Sequence, residues 1–174
     1  MKKYIWLSAA ALLLIGIVGC GITTGQFTIV YSVDDIASTD NDVEMYWLDL
    51  NSEPDYADHK DNLKNVESIA IVAFLWNHAD EDASGEVWVA TDSMYTTADE
   101  VRDNGTRIFV SPSIPANDSL MVDWEDSYAH MENVDYLEDL IMDVGAFAIY
   151  GLADETPFDV EIQAEIVITL TAGL

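Results

Sequence analysis

The sequence has few basic residues and a single cysteine. Its 174 residues include 6 Lys and Arg against 33 Asp and Glu, which gives a formal net charge of −27. A chain this acidic is repelled by phosphate backbones, so we predict no nucleic-acid partner. One cysteine excludes an internal disulfide framework and any cysteine-based zinc site.

The chain nevertheless has enough apolar surface to fold. Half of its residues are hydrophobic, and the mean hydropathy is slightly positive at +0.10. Acidic disordered chains lack the apolar surface that offsets the entropy lost on ordering. The length is typical of one domain.

The N-terminus has the pattern of a secretory signal. Two lysines lie within residues 1–4, and residues 5–18 form an uncharged apolar run. This run is shorter than the ~20 residues that span a bilayer, as in a signal peptide. It ends in Ile17-Val18-Gly19-Cys20, which resembles the lipobox of bacterial lipoproteins.

The resemblance implies cleavage before Cys20 and lipidation of its sulfur, so that acyl chains anchor the protein to a membrane. In a Gram-negative source, Gly21 after the cysteine would favour the outer membrane over the inner. The predicted organisation is a signal peptide over residues 1–19, a lipidated tether over 20–25 and one acidic domain over 26–174. After cleavage, four bases face 33 acids, a side-chain charge of −29.

Alternating apolar and polar residues predict a β-rich domain. The clearest segment runs from Phe158 to Leu170, where every even position is apolar. Seven further strands are predicted near residues 27–33, 43–50, 68–76, 86–91, 107–110, 120–124 and 147–150. This spacing favours an antiparallel β-sandwich of about eight strands, with a closed β-barrel as the alternative.

One segment has helical spacing instead. Its apolar residues predict a single crossover helix over 133–144, with Asn133 as N-cap and Gly145 just after the last turn. A helical turn is also predicted over residues 58–64, and it would place Lys60 and Lys64 on one face.

Motifs of catalysis are absent from the sequence. It contains no Gly-x-Ser-x-Gly, no His-Glu-x-x-His and no Walker loop. Its three histidines, His59, His78 and His130, are far apart in polar stretches. A carboxylate pair for glycoside hydrolysis stays open, although so many acids make any particular pair uninformative. We therefore predict that the protein is not an enzyme.

A calcium site is the best-supported local prediction. Residues 80–86 read Asp-Glu-Asp-Ala-Ser-Gly-Glu, which matches the opening of a calcium loop, with oxygen ligands at alternate positions and glycine at the sixth. The predicted ligands are Asp80, Asp82, Ser84 and Glu86. Thr91 stands where an EF-hand has glutamate, and an ordinary turn is the alternative. A second acidic loop, with Asp34, Asp35, Asp40 and Asp42, is a weaker candidate for a calcium site.

Two tryptophans bear on ligand binding. Trp76 ends the most apolar strand and is predicted to lie in the core. Trp88 faces opposite to its valine neighbours on the strand after the acidic turn, where an exposed indole would stack on a sugar ring. Covering the core is the commoner role for such a residue.

These patterns together predict a non-catalytic, membrane-anchored lipoprotein of the cell envelope with a structural or binding role. Divalent cations are candidate stabilisers. A cation-dependent carbohydrate-binding or adhesion module is the first alternative, and an envelope hydrolase is the second. The predicted partners are the membrane, through Cys20, and an envelope protein or glycan. The acidity indicates either a saline environment or bound cations, and both predict that stability rises with ionic strength.

Overall fold

A computed structural model describes the protein over residues 24–39, 43–91, 94–153 and 158–173. These residues form eight antiparallel strands. The strands are β1 (Thr24–Thr39), β2 (Val43–Asp49), β3 (Leu63–Asn77), β4 (Gly85–Ala90), β5 (Thr106–Val110), β6 (Ser119–Val122), β7 (Ala146–Ala153) and β8 (Asp159–Gly173). Sheet 1 has the order β1-β8-β3-β6, and sheet 2 has the order β2-β7-β4-β5. Their inner faces share one hydrophobic core. The described strands therefore form a sandwich of two separate sheets, which confirms the predicted fold over the barrel.

β8 shows how the sequence pattern becomes a buried face. Val160, Ile168 and Leu170 are buried, whereas Asp159 and Glu165 are exposed. β8 pairs with β1 on one side and with β3 on the other along most of its length. Full burial of one aliphatic side chain stabilises the folded state by about 1.5–3 kcal/mol. A shift of the strand register by one residue would turn all of these side chains towards solvent and lose that stabilisation.

β3, the most apolar of the predicted strands, is not buried on both faces. Ile71, Ala73 and Leu75 point into the core, but Phe74 and Trp76 are half-buried on the outer face of sheet 1. Only one face of this strand belongs to the core between the sheets.

Within the described residues, four α-helices connect the strands: α1 (Pro54–His59), α2 (Ala98–Asn104), α3 (Trp124–His130) and α4 (Val134–Asp139). The chain continues from α4 into a π-helical turn, Leu140–Val144, so the predicted crossover helix is present. Short 3₁₀ turns occupy Leu50–Ser52 and Lys60–Asn62. None of the helices in this part of the chain is long and apolar enough to cross a bilayer.

The boundaries of the predicted helix are explained by backbone conformation. Gly145 ends it at φ +73°, and a Cβ there would lie 2.6 Å from the Tyr56 hydroxyl, so glycine is required. Asn133 precedes α4 at φ +48° but does not cap it through its side chain, which instead donates to the Arg107 carbonyl. The predicted turn over 58–64 is α1 and a 3₁₀ turn, and Lys64 lies in β3. Lys60 and Lys64 therefore do not share a helical face.

The sequence analysis missed α2 and α3, although both have local capping signals. The Thr97 hydroxyl accepts from the Glu100 amide at 3.3 Å, and the Glu100 carboxylate accepts from the Thr96 amide at 2.9 Å. Asp123 caps α3 by accepting from the amides of residues 125 and 126. The strand predicted over 120–124 consequently ends at Val122, since Trp124 begins the helix.

α3 completes the edge of sheet 1 that the short β6 leaves open. β6 pairs only with Ala73–Trp76 of β3. Beyond that point the hydroxyl of Ser127, a fully buried residue of α3, accepts from the Ile71 amide at 2.8 Å. A side-chain oxygen thus replaces one hydrogen bond of the strand ladder, so the buried amide is satisfied.

The outer face of sheet 2 is covered by a second, smaller cluster, made of Ala90, Val101, Ala148, Tyr150 and Leu152. Val101 belongs to α2, which therefore lies over this face. Residues of α4 and its π-helical turn close one end of the core between the sheets. There the Tyr56 hydroxyl of α1 donates to the Ile141 carbonyl at 2.5 Å.

The predicted signal peptide and Cys20 lie outside the described residues. β1 begins at Thr24, which pairs with Gly173 of β8. The last two residues of the predicted tether are therefore part of sheet 1.

Candidate functional site

The acidic turn over residues 78–84 crosses from one sheet to the other. β3 belongs to sheet 1 and β4 to sheet 2, so the turn is not the hairpin that its composition suggests. Asn77, only 2% exposed, organises it. Its amide nitrogen donates to the carbonyls of Glu81 and Ile114 at 2.8 and 3.0 Å, and its oxygen accepts from the Ala79 amide at 2.9 Å. The turn is thereby fixed against the segment over residues 114–118.

Two of the four predicted calcium ligands strengthen this junction. Asp82 accepts from the Ala116 amide at 3.0 Å, and Asp80 accepts from the Asn117 side chain at 3.1 Å. Ala83 and Ile114 form an antiparallel bridge between the two segments. Ser84, the third predicted ligand, is half-buried just before β4.

Glu86, the fourth predicted ligand, is held by basic residues. It is 4% exposed on the outer side of sheet 2. Its carboxylate accepts from Arg102 at 2.9 and 3.1 Å, from Arg107 at 2.8 Å and from the Trp88 indole at 3.2 Å. Arg107 also binds Glu132, at 3.0 and 3.3 Å. We call Glu86, Trp88, Arg102, Arg107 and Glu132 the arginine cluster.

The charge state of Glu86 follows from this geometry. Burial alone raises the pKa of the Glu86 carboxyl, but hydrogen bonds from Arg107, Arg102 and Trp88 together outweigh burial and hold that pKa below its usual value. A general acid for glycoside hydrolysis needs a raised pKa instead. Glu86 is therefore an ionised partner of two arginines.

The described residues contain no group of three or more histidine, cysteine or acidic side chains that could hold a metal ion. Calcium binding at the acidic turn stays a prediction. The second predicted acidic loop is wrong in its first part, because residues 34–39 continue β1 and residues 36–39 pair with β8. The side chains of residues 34 and 35, and residues 40 and 42, lie outside what the structure describes.

The three histidines lie in different parts of the sandwich. His59 of α1 packs against Phe27, with ring centroids 5.3 Å apart. His78 follows β3 and lies 3.5 Å from the Glu161 carboxylate. His130 ends α3 against the edge of the Phe109 ring.

The tryptophans have roles that the sequence analysis assigned only in part. Trp88 packs in the outer cluster of sheet 2 and donates to Glu86, so it covers the core. Trp47 and Trp124 are exposed by 42% and 41%. Trp76, predicted to be in the core, lies half-buried on the outer face of sheet 1 beside Phe74, with ring centroids 4.1 Å apart.

Trp76 borders an open polar cleft of about 240 Å³. This Trp76 cleft is lined by Trp76, Asn77, His78, Asn117, Asp118 and Ser119. In the sheet register, Trp76 is opposite Ser119 on one side and Glu161 on the other. The acidic turn reaches the cleft through the hydrogen bond from Asn117 to Asp80.

The structure thus places the acidic turn beside an aromatic side chain, but beside Trp76 rather than Trp88. An indole flanked by amide, imidazole and carboxylate groups can stack on a sugar ring and hydrogen-bond its hydroxyls. The alternation in β3 was the signal for this site, because positions 74 and 76 face away from positions 73 and 75.

No protein-family model matches the chain, and no curated protein matches its sequence. Solved structures with a similar arrangement include a chain of Desmodium yellow mottle tymovirus, at 12% identity and a TM-score of 0.38, covering 88% of this chain and 91% of that chain. Another is a chain of turnip yellow mosaic virus, at 10% identity and a TM-score of 0.33, covering 88% of this chain and 84% of that one. These values do not place the protein in a family.

Proposed function

We propose that the protein is a lipid-anchored component of a bacterial cell envelope whose sandwich domain has a non-catalytic role in binding a glycan. The observation that carries the binding role is the Trp76 cleft, which combines a partly exposed indole with hydrogen-bonding side chains on an open sheet face. Neutral sugars are uncharged polyols, and an aromatic face with polar side chains binds them without the basic residues that are few in this chain.

The geometry of the cleft supports a rigid binding surface. Asn77 lies beneath it with its amide fully hydrogen-bonded, and Asn117 is tied to Asp80. A pre-organised surface loses little conformational entropy on binding. Divalent cations near Asp80 are a candidate contribution, because Asp80 and Asp118 both lie at or beside the cleft.

Replacing Trp76 by alanine should weaken glycan binding by about tenfold or more, which corresponds to roughly 1.4 kcal/mol. The probes are soluble muropeptides and a tetramer of N-acetylglucosamine, and binding is measured by titration calorimetry. Trp47→Ala is the matched control, since Trp47 is exposed on the other sheet. Equal binding by both variants would show that the glycan does not bind at the Trp76 cleft. No binding by the unmodified domain would leave a purely structural role.

The anchor is proposed from the sequence, on the lipobox-like residues 17–20. Cys20→Ser should move the protein from the membrane fraction to the soluble fraction of the expressing bacterium, because two or more acyl chains give stable anchoring. The measurement is fractionation with mass spectrometry of the N-terminal peptide. An unmodified Cys20 in the membrane-bound protein would refute lipidation.

A further inference from the structure

A cavity lies between the two sheets, at the end of the core away from α4. Its volume is about 120 Å³, whereas the core around Leu137 and Ile141 leaves a void of only about 10 Å³. An engineered apolar cavity of about 150 Å³ stays dry and binds benzene. The cavity in this sandwich is therefore large enough for part of an apolar ligand.

Small residues on both sheets create this space. Ala73 and Ala164 are paired with each other across β3 and β8, and both line the cavity. Neighbouring positions on the same strands, Leu75 and Ile166, carry large side chains. The alanine pair thus leaves space on the sheet 1 side of the cavity.

Two glycines line the cavity from sheet 2, and neither is required by its surroundings. Among the described glycines, only Gly145 has a positive φ. A Cβ at Gly151 would lie 3.8 Å from the Glu44 Cβ, and one at Gly85 would lie 3.6 Å from the Phe158 ring, both ordinary contacts. A Cβ would fit at both positions, so glycine at Gly85 and Gly151 leaves space at the cavity wall that a methyl group could occupy.

Two acidic residues, Glu44 and Glu86, belong to the mostly apolar lining of the cavity. Glu44 occupies an inward position of the edge strand β2, opposite Gly151 of β7. The Glu86 carboxylate points away from the cavity, to the outer side of sheet 2, where two arginines bind it. No basic residue lines the cavity among the described residues. An anionic head group here would be repelled by Glu44 and by the net charge of the chain.

We propose that this cavity binds a small amphiphile with one short aliphatic chain and a cationic head group. The chain lies between the sheets beside the alanine pair, and the head group lies next to Glu44. The site is separate from the Trp76 cleft, so this proposal does not depend on glycan binding.

The test compares three probes that share an eight-carbon chain: octylammonium, 1-octanol and octanoate. Binding to the domain is measured by titration calorimetry, with ethylammonium as the control for attraction to the acidic surface alone. Octylammonium should bind at least tenfold more tightly than octanoate and ethylammonium. Ala164→Leu should reduce octylammonium binding at least tenfold by filling the cavity, and Glu44→Gln should bring octylammonium and octanol to equal affinity.

Gly151→Ala is a milder second variant that should also weaken octylammonium binding, and melting curves show whether each variant is folded. Glu165→Gln removes an exposed acid elsewhere and should leave binding unchanged. Unchanged octylammonium binding in folded Ala164→Leu and Gly151→Ala would overturn the cavity as the site. Equal binding of octylammonium and ethylammonium would assign the interaction to surface charge and would also overturn the proposal.

Discussion

Replacing Glu86 by glutamine should destabilise the domain by about 2–4 kcal/mol, which lowers the melting temperature by roughly 5–15 °C. Glu86 is almost fully buried, and both its oxygens accept from arginines of α2 and β5. Glutamine keeps the shape but removes the charge, and its NH₂ group faces guanidinium donors. We place the loss below the largest values for buried pairs because Arg102 and Arg107 are each more than one-third exposed.

The direction of the change in stability distinguishes the loss of the Glu86 ion pairs from the general effect of removing a negative charge. The domain is strongly acidic, so removing a negative charge elsewhere should relieve repulsion. Glu165→Gln is the matched control, because Glu165 is exposed on β8. We expect its melting temperature to stay the same or to rise slightly. A Glu86 variant that also melts at or above the unmodified temperature would show that the arginine cluster adds no stability.

The same variant isolates the dependence of stability on pH. Because the pKa of Glu86 is lowered in the folded state, the ion pairs stabilise the protein fully above the unfolded value of about 4.3. That stability is lost as the pH falls through the lower, folded pKa. The difference in unfolding free energy between the two proteins should therefore be constant from pH 7 to about pH 5 and then shrink. Urea titrations across this range measure it.

Raising the ionic strength should stabilise the domain strongly. With four bases against 33 acids after residue 19, carboxylates 10 Å apart repel by about 0.4 kcal/mol per pair in water. Between 0.01 M and 1 M salt the Debye length falls from about 30 Å to about 3 Å. We expect the melting temperature to rise by roughly 5–15 °C over this range in NaCl. Identical melting temperatures at the two NaCl concentrations would mean that the acidic side chains are too far apart to interact.

Millimolar CaCl₂, with MgCl₂ and NaCl at matched ionic strength, separates screening from a bound ion. A ligand at 100 times its dissociation constant stabilises the folded state by about 2.7 kcal/mol. A rise specific to calcium, lost in Asp80→Asn with Asp82→Asn, would establish the predicted site. Asparagine keeps an oxygen that can accept from Ala116 and Asn117, so the double variant preserves the junction itself. An equal rise in melting temperature with every salt would mean that the acidic turn binds no calcium and is an ordinary turn.

The sequence by itself determined the eight strands and the crossover helix and favoured a sandwich, whereas the pairing into two separate sheets decided against a barrel. These features are local, because the apolar period of β8 or α4 is set by a dozen neighbouring residues. The helices α2 and α3 have local signals too, in Thr97 and Asp123. Each spans only seven residues, which is too short for a helical period to stand out against the strands around it.

The tertiary structure alone decided which residues meet. The alternation of apolar and polar residues places Trp76 and Glu86 on one face of their strands. It does not identify their neighbours, because strands that pair are distant in sequence. Glu86 meets arginines 16 and 21 residues away, and Trp76 lies opposite Ser119 and Glu161. The acidic turn crosses between sheets because β3 and β4 pair with different strands. A strand's period fixes two faces, but the assembly of both sheets decides what each face contacts.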